Sequence, residues 1–170
     1  MSKYIHPLTS KVALLLASNL RPEDRREIQE GHGHNPSQVL FAAAFTDYSL
    51  AFKLPNGEWG GAFGVGPDNG IWMLCTPEIE TYPLTFAREC KRFVESRMEK
   101  YLWNIADKRN TVHLKLLKFL GFKFLREIKH GPNNLTFIEF CRVQSSSNRT
   151  SDVSRRLSSV SVTSEQSSKT

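Results

Sequence analysis

Glycine is missing from Ile71 to Leu120. Loops that close backbone N–H groups around a phosphate depend on residues without a Cβ, so this stretch of the chain has no ready phosphate cradle. Cysteine is scarce too. Cys75, Cys90 and Cys141 are odd in number and far apart, which excludes a disulfide framework and a zinc-finger spacing and points to a reducing compartment. The apolar runs are short, Val12–Ala17 among them, far below a membrane span. Lys3 is not followed by a long apolar core and a small-residue cleavage site, so no secretory signal is expected. No internal repeat is evident. What remains is an ordinary globular composition, 39% hydrophobic, 11% aromatic and 24% charged, which fits one α/β-sized domain. The net charge of +6 is compatible with nucleic acid or an acidic partner and specifies neither.

Composition changes after Val143. Residues 144–170 hold 14 Ser or Thr, with Val153, Leu157, Val160 and Val162 as their large apolar residues. So little apolar surface does not offset the entropy of ordering, and a disordered tail is expected there. Arg155-Arg156 is its one basic pair, read as part of a solvated terminus. Residues 1–143 form the folded part.

Residues 3–6 suggest a short strand ended by Pro7. Thr9 or Ser10 caps a helix carrying Val12, Ala13, Leu15, Leu16 and Leu20. Pro22, Glu23 and Asp24 suit the start of a second helix, which Gly31 would stop near Glu30. Val39–Thr46 reads as a strand covered on both faces. Strands at Tyr48–Leu54, Glu58–Val65 and Ile71–Thr76 follow, separated by turns at Pro55-Asn56-Gly57 and Pro67-Asp68-Asn69-Gly70. A helix from Thr85 to Lys100 would bury Phe86, Cys90, Phe93, Val94 and Met98. Leu102–Ala106 reads as a strand. Asn110 caps another helix, which Gly121 ends. Strands at Lys123–Ile128 and Leu135–Arg142 close the domain. A helical crossover between the strands at Ile71 and Leu102 requires a parallel pair, so the fold class is α/β: a central mixed β-sheet flanked by helices.

Asn110-x-x-His113-x-x-Leu116-Leu117-x-Phe119-x-Gly121-Phe122 resembles the helix after the fifth strand of GNAT (GCN5-related N-acetyltransferase) proteins. Those carry Asn-x-x-Ala-x-x-Leu-Tyr-x-Lys-x-Gly-Phe there. The resemblance implies a GNAT-like fold with acetyl-CoA as donor. The backbone of Leu74, Cys75 and Thr76 would then face the pantetheine arm, with Asn110 nearby. Two departures stand against acyl transfer. The interval Thr76–Phe86 has Pro77, Glu78, Glu80 and Pro83 in place of the glycine-rich phosphate loop. The prolines remove donors and the acids repel phosphate. Leu117 stands where the family's general-acid Tyr is usual.

A closer resemblance runs through Tyr101-Leu102-Trp103-Asn104, Asn110–Gly121 and Leu135-Thr136-Phe137-Ile138. It is to the small GNAT-like internal virion proteins of T7-like podoviruses, which also lack the glycine loop. It covers residues 101–140 well and the earlier chain loosely. It implies a non-catalytic role in virion assembly or as an internal virion component. Other virion or assembly proteins would be the partners, the virion or host cytoplasm the location, and no cofactor is expected. The alternative is a divergent acyl-CoA-dependent N-acyltransferase. A host-takeover binding protein is a third possibility that the basic charge permits.

Other chemistry-bearing residues have plainer readings. His32 and His34 are too few ligands for a closed metal site, so a solvated loop is expected. His113 titrates in the range of a general base, but it has no partner assignable from sequence. Cys75 is read as a small core residue and not as a nucleophile. Trp59, Trp72 and Trp103 are read as strand-core aromatics. Lys108, Arg109, Lys115 and Lys118 cluster at the last helix, where a solvated face is the plainer reading than nucleic-acid contact. No catalytic or metal-binding residue is assigned, and no membrane partner is expected.

Overall fold

The computed structural model describes residues 2–144. The expected disordered tail lies outside the described residues, apart from Gln144. The elements run β1 (Ile5–Pro7), α1 (Ser10–Ser18), α2 (Pro22–Arg26), a π-helical turn (Glu27–His32) and α3 (Pro36–Ala43). Next come β2 (Ser49–Lys53), β3 (Trp59–Val65), β4 (Ile71–Cys75), a 3-10 turn (Pro77–Thr81) and α4 (Pro83–Glu95). The chain closes with β5 (Tyr101–Asp107), α5 (Thr111–Phe119), β6 (Lys123–His130) and β7 (Leu135–Val143).

The strands form two antiparallel sheets, ordered β1-β2-β3-β4 and β5-β7-β6. They meet along one parallel seam between β4 and β5, whose only β-bridge among the described residues is Gly70–Trp103. The expected mixed sheet is therefore two half-sheets that touch at one end and part at the other. Helices cover both faces. Ala51 and Ala62 of the first half-sheet pack against Leu16 of α1 and Leu40 of α3. Phe52 and Cys75 pack with Phe86 of α4. Leu102, Ala106 and Phe140 of the second half-sheet pack with Val94 of α4 and Leu117 of α5. Adjacent residues Ala51 and Phe52 point to opposite faces, as the period of a strand requires. The strands β2 to β4 are covered on both faces and read as apolar runs, whereas β6 is largely exposed and charged.

Local chemistry overrode several expectations. Val39–Thr46 is not a strand. Asn35 Oδ1 accepts from the N–H groups of Ser37 and Gln38, Pro36 occupies the first helical position, and Ala42-Ala43-Ala44 favours helix, so α3 forms. Pro7 does not end β1 but belongs to it. This is tolerated because β1 pairs on one side only, leaving the missing N–H at an edge. Gly31 does not stop the second helix. The chain continues as a π-helical turn until Gly33, whose φ of 71° is left-handed. The long helix ends at Glu95, where Ser96 Oγ donates to the Phe93 carbonyl. Met98 lies beyond the helix and is 73% exposed.

Candidate functional site

The seam between β4 and β5 is the place to build a site, because strands that part leave backbone groups without partners. At the joined end, Trp103 N–H donates to Asn69 O and Trp103 Nε1–H to Asp68 O. One residue further, the strands are already too far apart for the ladder. Asn104 fills in with its side chain: Nδ2 donates to Ile71 O at 2.8 Å, and Oδ1 accepts from Ile105 N–H at 2.8 Å.

At the parted end, α2 enters the gap. Asp24 Oδ2 accepts from the N–H of Cys75 on β4 at 2.8 Å. Arg21 N–H donates to the Cys75 carbonyl at 2.8 Å. Asn110 Nδ2 donates to Asp24 Oδ1 at 2.9 Å and to Glu27 Oε2 at 3.2 Å. Glu27 lies near the Asp107 backbone at the end of β5, which favours its charged form. The free N–H of β4 is thus taken by a carboxylate of the segment that begins at Pro22, and a second carboxylate of that segment sits at the end of β5. The cluster is dry: Arg21, Asp24, Glu27, Asp107 and Asn110 are all buried.

Burial raises the Glu27 carboxyl to about 7. The Asn110 hydrogen bond opposes that rise, and the nearby Asp24 charge adds to it. Asp107 is held below the usual carboxylate range; burial opposes this, and the Arg109 side-chain and backbone bonds outweigh it. Burial lowers the His113 imidazole, so it is neutral at pH 7.

The residues singled out from sequence fall into place unevenly. Asn110 is at the centre of the cluster, and its Oδ1 also caps α5 through His113 N–H. Leu74 pairs with Ala62 in the ladder to β3. Thr76 donates its N–H to Gly60 O and its hydroxyl to Trp59 O. Both Cys75 backbone groups are bonded to residues of the chain itself. Burial pushes the Cys75 thiol well above its ordinary value, and Cys90 up to about 12, so neither is a thiolate at pH 7.

Two groups differ from expectation. His32 is not in a solvated loop. It lies in the π-helical turn, with Nδ1 2.9 Å from His130 Nε2 and its ring edge on Phe137. Gly131, at the turn between β6 and β7, allows this close approach, since a Cβ there would lie 1.7 Å from Gly31 O. Burial, then the charges of His130 and His34, push His32 down to about 4. Among the described residues, no group of three or more His, Cys, Asp or Glu is placed to hold a metal. The basic cluster is partly spent internally. Arg109 bonds Asp107 and Glu30, Lys108 bonds Glu127, and Lys118 lies over the Phe124 ring.

Sequence reading missed Arg21, Asp24 and Glu27 as site residues. Asp24 and Glu27 stand three apart on the helical face that also buries Ile28. Two acids sharing a face with a core residue was the signal available.

No protein-family model matches the chain, and no curated protein sequence matches it. Solved structures do. The ribosomal-protein-S5-alanine acetyltransferase of Vibrio fischeri superposes with a TM-score of 0.61 at 12% identity, covering 86% of this chain and 96% of that one. A GNAT-family acetyltransferase of Bacillus anthracis gives 0.59 at 8% identity, covering 84% and 96%. The aminoglycoside acetyltransferase AAC(6')-Ib in complex with coenzyme A gives 0.56 at 14% identity, covering 87% and 98%. At such identities the likeness is one of fold: residues 2–144 have the GNAT fold. Among the described residues no helix is long and apolar enough to cross a membrane.

Proposed function

We propose that this chain is a GNAT-fold protein that acts by binding, with the gap between its half-sheets closed by its own second helix. One observation carries the reading. The Cys75 N–H and C=O, which would face an acyl donor, are instead bonded at 2.8 Å to Asp24 and to Arg21. The interval that would cradle phosphates is a 3-10 turn beginning at Pro77 and containing Glu78 and Glu80, which offers negative charge where donors are needed. A donor molecule would have to displace a buried, fully bonded carboxylate. The partners proposed are other proteins, and the resemblance of residues 101–140 makes virion or assembly proteins of a phage the finer form of the proposal. That finer form rests on sequence alone, and the solved structures lend it no support.

A divergent acyl-CoA-dependent N-acyltransferase is the second reading, and the fold neighbours lean towards it. All three described above are acetyltransferases, one of them with coenzyme A bound. Glu27, held near 7 beside Asn110, has the proton affinity of a general base. In that reading Leu74, Cys75, Thr76 and Asn110 are the donor-side residues, and α2 must move outward before acetyl-CoA enters.

Calorimetric titration with acetyl-CoA and with free CoA, alongside thermal unfolding, decides between them. A ligand that binds the folded state raises its stability by mass action. The binding-protein reading expects no heat and no rise in Tm at about millimolar ligand. Saturable binding, with acetyl transfer to an amine that is lost in Glu27→Gln, would establish the enzyme instead.

A further inference from the structure

The second half-sheet is covered unevenly. On one face Leu102, Ala106 and Phe140 are buried with residues of α4 and α5. The other face carries Tyr101, Trp103 and Ile105 of β5 beside Val143, Cys141 and Glu139 of β7, their partners in the ladder. Further along that face Phe137 is fully buried. The His32 ring lies against it, and a Cβ on Gly31 would come within 2.6 Å of its ring. The cover given by the π-helical turn ends there. Tyr101 is 45% exposed and Val143 73%, while Trp103, Ile105 and Cys141 are half-buried. Among the described residues, none of these five belongs to a cluster of the hydrophobic core. Apolar side chains gathered on one open face mark a surface that gains by being covered.

Shape and charge say what covers it. A pleated face packs well on another such face, about 10 Å away. The free edge beside it, β6, is guarded against pairing. It carries Lys123, Arg126 and Lys129, and its register shifts between Phe124 and Arg126. Association is therefore left to the face. Arg126 and Glu139 are ladder partners on it, with their side chains 2.6 Å apart. A wholly acidic or wholly basic partner would meet a like charge there. A copy of the same face, turned over by a two-fold axis, brings Glu139 to Arg126 and Arg126 to Glu139. Lys123, opposite Cys141 on the outer strand, is long enough to keep its ammonium in water.

We propose that two copies of this chain pack face to face through Tyr101, Trp103, Ile105, Cys141 and Val143, with Arg126 of each copy paired to Glu139 of the other. The face is three strands wide, which is small for a protein interface and makes the dimer weak and reversible. The dimer does not depend on whether the chain binds proteins or transfers acyl groups.

Sedimentation equilibrium of the full chain tests this. The weight-average mass should rise from that of one chain towards that of two, with a Kd of about 50 μM. Val143→Asp, at the exposed end of β7, should keep the wild-type circular dichroism and raise Kd at least about tenfold. Arg126→Glu and Glu139→Arg should each weaken the dimer likewise, because like charges then face each other across the axis. An equimolar mixture of those two variants should associate again, since the acids of one chain meet the bases of the other. Three results would each overturn the proposal. One is the mass of a single chain up to about 1 mM, whether residues 145–170 or nothing then covers the face. Another is wild-type association in Val143→Asp. The third is a mixture that associates no better than its two components.

Discussion

The two ends of the β4–β5 seam solve one problem in different ways. Both must satisfy backbone groups that a parting ladder leaves without partners. At the joined end the remedy is local: Asn104, a residue of β5 itself, supplies both a donor and an acceptor. At the parted end the gap is wider than one side chain can bridge. The remedy there is a separate helix, with Asp24 reaching β4 and Glu27 reaching the end of β5. The first uses a neutral amide and the second uses buried charge. Buried charge is strong when complete and costly when one member is lost, because the remainder stays dry and unpaired.

The difference can be broken most visibly at Asp24. Asp24→Ala leaves Cys75 N–H without an acceptor, the Asn110 amide with Glu27 alone, and Arg21 without its nearest buried acid. It should cost about 3–5 kcal/mol, read as a fall in the urea midpoint with the m-value unchanged. Asn110→Ala should cost about 2–3 kcal/mol, since it removes a helix cap and the donor shared by the two acids. The Asp24→Ala/Asn110→Ala double variant should be less destabilised than the sum, as expected of residues in one network.

Glu27 sharpens the comparison through pH. Its carboxyl rises from 4.5 to about 7 on folding, so the folded state holds the proton that the unfolded state has lost. Its contribution is complete below 4.5 and is lost as pH rises towards 7, by up to about 3 kcal/mol. His32 works in the other direction. It falls from 6.5 to about 4, so the folded state refuses a proton that the unfolded state takes, and stability rises with pH over that range. The two slopes oppose each other between 4.5 and 6.5. Glu27→Gln should therefore unmask a rise in Tm with pH across that window, and a flat profile in the variant would contradict the assignment. The smallest effect belongs to the joined end. Asn104→Ala should cost only about 1 kcal/mol and add independently to Asp24→Ala, because the ladder next to it already holds the strands. Equal costs at the two ends in chemical denaturation would erase the distinction.

Reading the chain before its structure worked where the signal was local. The turns at Pro55-Asn56-Gly57 and Pro67–Gly70, the Thr9 and Asn110 caps and the strands β2 to β7 were all visible as short-range chemistry. Val39–Thr46 misled because an apolar run of that length suits a buried strand or a buried helix equally, and the deciding cap, Asn35-Pro36, lies just before it. The π-helical turn at Glu27–His32 was not legible at all, since it is held from outside by His130, by Asn133 and by the Arg109–Glu30 pair. Asn110 was found through its motif. Its partners Asp24 and Glu27 looked like ordinary acids near a helix start, which they also are.

Sequence by itself determined the element types wherever capping, turn chemistry and hydrophobic period agreed. It also determined, through Asn110 to Phe122 and the order of elements, the family of folds to expect. It determined the absence of a glycine loop before α4. Only the tertiary structure decided what occupies the parted seam. Asp24 and Glu27 lie more than eighty residues from Asn110 in the chain, and no local preference brings them together. The unpaired backbone of two diverging strands does so, because buried donors must find acceptors, and α2 is the element that folding places within reach.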